Sequence, residues 1–160
     1  MRTPDFNNYA ECARLFLEGS TTVRFFRKRS PTRHTDDPDF GPIGETKNGS
    51  WTGDGFRLWG YDSIQVMIDA GPDGPSAEQR SFIRSLRADT GMRARIEQAV
   101  AIHAASTARQ KGSVRVSSVY LPQLPLRQTW RIWFDMEGEE HYSYGAEIEG
   151  WNRIVPFTED

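Results

Sequence analysis

Apolar residues recur at three- and four-residue steps in three parts of the chain and at every second position in several others. This change of period lays out the elements. Between Pro4 and Glu18, the residues Phe6, Tyr9, Ala13, Phe16 and Leu17 share one side of a helical repeat and Gly19 follows as a C-cap, so an N-terminal helix is predicted. Thr21 to Lys28 is β-branched and aromatic and reads as a strand. From residue 30 to 55 the chain is rich in Pro, Gly, Asp, Thr and Ser, which predicts a long surface loop broken at most by short strands.

Phe56 to Trp59 and Ser63 to Asp69 read as strands joined at Gly60-Tyr61-Asp62, the second carrying Ile64, Val66 and Ile68 on one side. A turn cluster over residues 70–75 precedes Ser76-Ala-Glu-Gln79, whose serine and glutamine have the spacing of a capping box. The helix it opens buries Phe82, Ile83 and Leu86. Asp89-Thr-Gly91 breaks that helix, and Met92, Ile96, Ala99, Val100 and His103 form the inner stripe of a second, ending near Ala108. The short link makes the two helices an antiparallel pair. Strands are then predicted over Ser113 to Tyr120, Thr129 to Asp135, Glu140 to Ile148 and Trp151 to Phe157. Short turns between consecutive strands favour antiparallel pairing, because a parallel pair needs a crossover of about a dozen residues or more. The expected fold is therefore a single α+β domain over residues 1–160, an antiparallel sheet with a central helical hairpin and an N-terminal helix.

Composition narrows the class. At 160 residues one sizeable core can form, and five Trp, five Tyr and nine Phe supply apolar area that a 37% hydrophobic content would otherwise leave short. The single cysteine, Cys12, has no internal disulfide partner, which points to a reducing compartment. No run approaches a membrane span, and the first residues lack the apolar core of a signal peptide, so a cytoplasmic protein with no membrane partner is expected. Charge is unevenly spread. Residues 135–160 carry eight acids against the single base Arg153, while residues 19–35 carry Arg24, Arg27, Lys28, Arg29 and Arg33 and no acid.

The chemistry-bearing residue types are sparse. Three histidines, His34, His103 and His141, do not form a zinc-ligand spacing, and no cofactor is implied. His103 sits on a helix's apolar stripe and reads as a core histidine. His34 with Asp36, Asp37 and Asp39 lacks the arrangement of a calcium loop and reads as solvated. Strand alternation places Glu139, His141 and Glu147 on one side, with Glu140, Tyr142, Tyr144 and Ala146 on the other. That acidic row, with Trp151 close by, can steer and anchor a basic protein. It can also serve as the acid/base or metal set of a small hydrolase, or be simply the wet side of a half-buried sheet. No Gly-x-Ser-x-Gly elbow and no phosphate loop accompany it, so no catalytic residue is assigned. Arg24, Arg27, Lys28, Arg29 and Arg33 interleave with aromatics as in nucleic-acid binders, but a pI of about 5.9 disfavours that partner.

The strand ending near Asp69, the helix opened by Pro75-Ser-Ala-Glu-Gln79 with Phe82 and Leu86, the second helix through Ile96 and Val100, and the strand-turn-strand holding Glu139-Glu140-His141 occur together over Phe56 to Ile148. This portion resembles a family of uncharacterised bacterial α+β domains found among polymorphic-toxin immunity proteins. Similar sequences usually carry glycine after the Glu-His pair, where Tyr142 stands here. The resemblance implies a topology and no established activity. The expected function is a protein-binding module of the immunity or defence-associated kind, meeting a cationic partner through Glu139, His141, Glu147 and Trp151.

Overall fold

The computed structural model describes residues 33–107, 113–123, 129–138 and 142–159. Its elements run β1 (Arg33–Asp37), β2 (Gly41–Glu45), β3 (Ser50–Leu58), β4 (Tyr61–Asp69), α1 (Ala77–Ala88), α2 (Thr90–Thr107), β5 (Val114–Leu121), β6 (Thr129–Met136), β7 (Ser143–Glu149) and β8 (Arg153–Glu159). The strands form one eight-stranded sheet in sequence order, β1 to β8.

The sheet is mixed, which corrects the antiparallel expectation. Val66 pairs with Val119 and Ile68 with Leu121 in a parallel ladder between β4 and β5, and every other neighbour is antiparallel. The physical reason lies between those strands. The helical hairpin is present where it was expected, and it is itself a crossover long enough to return the chain in the same direction. The N-terminal helix expected between Pro4 and Glu18, and Cys12 within it, lie outside the described residues, as does the strand expected over Thr21 to Lys28.

The expected loop over residues 30–55 is also corrected, since β1, β2 and the start of β3 occupy it as a meander. This stretch has few aliphatic residues because its inward side is built differently. Phe40 and Ile43 enter the core, Phe40 stacks on Phe56, and Asp37 and Asp39 are buried against α1. Asp37 Oδ1 accepts from the amides of Asp39 and Phe40, closing the β1–β2 turn, while Oδ2 takes Arg80 Nη2 at 2.9 Å. Arg84 lies 3.7 Å from Asp39, and Arg87 donates to the Asp39 carbonyl with its guanidinium over the Phe56 ring. Burial lowers the Arg87 pKa, and the charge of Asp39 works in the opposite direction. The three arginines are spaced along one side of α1, so a single helix clasps the hairpin. Asp37 and Asp39 are therefore neither solvated nor a cation cradle, while Asp36 is exposed.

The α1 N-terminus follows the expected capping box. Ser76 Oγ accepts from the Gln79 amide and Gln79 Oε1 accepts from the Ser76 amide. The Gln79 side chain, 1% exposed, then donates through Nε2 to the carbonyls of Asp69 and Pro122. One amide thus joins the C-terminal ends of the two parallel strands to the start of the helix that connects them. At the other end of β4 the hairpin turn is Trp59-Gly60, not the expected Gly60-Tyr61-Asp62, and both turn residues have positive φ. A tryptophan is held in that unfavourable conformation by two long-range bonds: its indole N–H donates to the Leu86 carbonyl at 2.7 Å, and Arg93 donates to its own carbonyl at 2.7 Å.

Both helices cover one side of the sheet, called the inner face. Phe82 on α1 meets Trp130 edge-on at 5.5 Å between centroids, and His103 on α2 shares a 3.0 Å hydrogen bond with Thr158 on β8. Ile83, Leu86, Met92, Ile96, Val100 and Ala104 complete the helical half of the core. No described helix is long and apolar enough to cross a membrane.

Candidate partner-binding face

Strand alternation sends the remaining side chains to the outer face, where neither described helix packs. Cross-strand register arranges them in rows. One row runs Thr52, Met67, Tyr120, Arg131, Glu147, Val155, each opposite the next on its neighbouring strand. The adjacent row runs Gln65, Ser118, Trp133, Gly145, Phe157. The absence of a side chain at Gly145 makes the second row possible. The Phe157 ring lies across that position, where an added Cβ would collide with it, and meets Trp133 edge-on at 5.9 Å. Trp133 is 7% exposed, and its indole N–H donates to Glu159 Oε2 at 3.2 Å.

The acidic residues of this face are largely answered from within the chain. Arg131 donates to Glu147 Oε2 through Nε at 2.9 Å and through Nη2 at 2.8 Å. Arg153 pairs with Glu149 at 3.3 Å. Asp135, although its side chain is accessible, has enough solvent excluded by its neighbours that its carboxyl is raised above the ordinary aspartate value; a Ser117 hydrogen bond and the charge of Arg115 oppose that shift. Asp69 is different. Its carboxylate accepts from Ser50 Oγ at 3.2 Å and from the Tyr120 hydroxyl at 2.6 Å, and among the described residues no arginine or lysine pairs with it.

Of the residues expected to bind a partner, Glu147 and Trp151 fall among those described, and the structure does not bring them together. Glu147 is on the outer face. Trp151 sits in the β7–β8 turn with its ring 5.2 Å from that of Phe82, half-buried in helix–sheet packing. Glu139 and His141 lie outside the described residues, so the expected Glu139, His141 and Glu147 set has one described member. That member's carboxylate is engaged by Arg131, which leaves it poorly placed as a base or metal ligand. Among the described residues no three His, Cys, Asp or Glu side chains are grouped to hold a metal. Of the basic cluster, Arg24, Arg27, Lys28 and Arg29 lie outside the described residues, and Arg33 is tied to the Pro72 carbonyl at 3.0 Å and to Glu45 at 3.7 Å.

Sequence reasoning missed two groups. The Asp37, Asp39 and arginine clasp had a visible signal in the spacing of Arg80, Arg84 and Arg87. The Asp69, Ser50 and Tyr120 group had none, because Ser50 meets Asp69 through the β3–β4 register and Tyr120 reaches it through the parallel β4–β5 ladder. Comparison with protein-family models, with curated proteins and with solved structures finds no match.

Proposed function

We propose that the chain is a protein-binding module that meets its partner through the outer face of β3 to β8. The observation that carries this reading is the contrast between the two sides of one sheet. The inner side is covered by helices, whereas the outer side holds Met67, Tyr120, Trp133, Val155 and Phe157 among charged residues with no described helix above them. Rigid aromatics ringed by polar groups are the composition of binding surfaces. The resemblance to immunity-type domains makes a toxin the first kind of partner to test, in keeping with a defence-associated role. The internal pairing of Glu147 and Glu149 shifts the expected anchor away from the acidic row and toward the aromatic row and Asp69.

The test is co-purification with a candidate toxin, comparing three substitutions. Val155→Lys and Phe157→Ala are expected to abolish capture, while Ile102→Lys, on the solvent side of α2, leaves it intact. Capture surviving both outer-face changes in folded protein removes the reading.

A further inference from the structure

Asp69 lies at the C-terminal end of β4, on the same outer face as Met67 two residues earlier, and Tyr120 stands opposite Met67 on β5. Its two oxygens are fixed separately, Oδ1 by Ser50 and Oδ2 by Tyr120. Each carboxylate oxygen retains a further lone pair. The other outer-face carboxylates differ. Glu147 and Glu149 are paired with arginines, Glu159 receives the Trp133 indole, Asp135 faces Arg115, and Asp54 is exposed and takes the Gln65 amide. Among the described residues, Asp69 is therefore the oriented, half-buried carboxylate of this face whose charge is met by hydroxyls and by no cation.

We infer that Asp69, Ser50 and Tyr120 form the receptor for one cationic side chain of the bound partner, with the carboxylate taking the charged head and Met67 and the Tyr120 ring flanking its methylene stem. The inference rests on the outer face being the docking surface. Each part of an arginine or lysine finds its complement here. The head meets an anion held in place before binding, and the stem lies along a thioether and an aromatic ring, surfaces suited to an amphipathic chain. Pre-orientation by two hydroxyls removes the ordering that a free carboxylate would undergo on binding. Arg131, opposite Tyr120 on the far side from Met67, is occupied by Glu147 and so presents a reduced competing charge.

The experiment titrates N-acetyl-arginine methylamide into isotopically labelled protein and follows amide and side-chain resonances, with N-acetyl-norleucine methylamide as the uncharged control. Saturable shifts confined to Ser50, Met67, Asp69 and Tyr120 are expected with the arginine probe and none with the norleucine probe. Asp69→Asn, nearly isosteric, is expected to weaken the arginine probe at least about tenfold, the scale of losing a charge-assisted partner, and Tyr120→Phe to weaken it less. Thermal melts of both variants establish that they are folded. An arginine probe that leaves these resonances unmoved, or that binds Asp69→Asn as well as the wild type, overturns the inference. Toxin capture that persists in Asp69→Asn while failing in Val155→Lys overturns it too, yet leaves the docking face standing.

Discussion

On β6, Trp130, Ile132 and Phe134 point toward the helices and are fully buried, whereas Arg131, Trp133 and Asp135 on the same strand point the other way, toward partners on β5, β7 and β8. The two faces thus share a backbone and differ in what satisfies their side chains. Inner residues are stabilised by removal of apolar area from water, and deleting one leaves a cavity. Outer residues are satisfied by pairwise contacts such as Arg131 with Glu147, which in partly exposed surroundings contribute little to stability. A face built of weak, internally answered pairs around fixed aromatics can be re-paired by a partner without unfolding what lies beneath it.

That contrast is open to attack at several points. The largest expected effect is on the inner face: Trp130→Ala should cost about 3–5 kcal/mol of unfolding free energy in denaturant titration, while Val155→Ala should stay within about 0.5 kcal/mol. Equal costs would erase the distinction. Next is Gln79, whose amide serves three backbone groups across the β4–α1–β5 junction. Gln79→Glu keeps the shape but turns the donor toward the Asp69 and Pro122 carbonyls into an acceptor, and a loss of about 3 kcal/mol is expected from two unsatisfied carbonyls and a buried acid. A melting temperature unchanged from the wild type would show that the parallel ladder does not depend on this amide.

The smallest effect concerns Asp135. Its carboxyl is raised in the folded protein, so the charged form opposes folding; the penalty is absent below the ordinary aspartate value and appears as pH rises through the folded one. Asp135→Asn should therefore melt higher than the wild type at about pH 7, with the gap closing by about pH 3.5. A gap of constant size across that range would assign the effect to packing, not to the proton.

Much of the inner face could be read from the sequence because its signals are local. Ser76 and Gln79 sit three residues apart and cap each other, and the period-two pattern placed Tyr144 and Ala146 on the side opposite Glu147, where both are buried. The rest depends on partners distant in the chain. Asp37 and Asp39 look like loop residues until Arg80 and Arg84, more than forty positions later, are packed against them. Glu147 looks free until the β6–β7 register sets Arg131 opposite it. Trp151 looked like a surface anchor because it lies beside the acidic row in sequence, yet its turn carries the ring to Phe82 on the inner side. For the binding face, residue types were readable and their sidedness partly so, but which charges remained unanswered was set by register alone.

The division of labour between the faces is tested most directly by hydroxyl-radical footprinting of the protein with and without its captured partner. Protection of Met67, Tyr120 and Phe157, with Ile102 and Trp151 labelled equally in both states, is the predicted result. Protection concentrated on Ile102 and Trp151, with the outer-face aromatics unchanged, would contradict it.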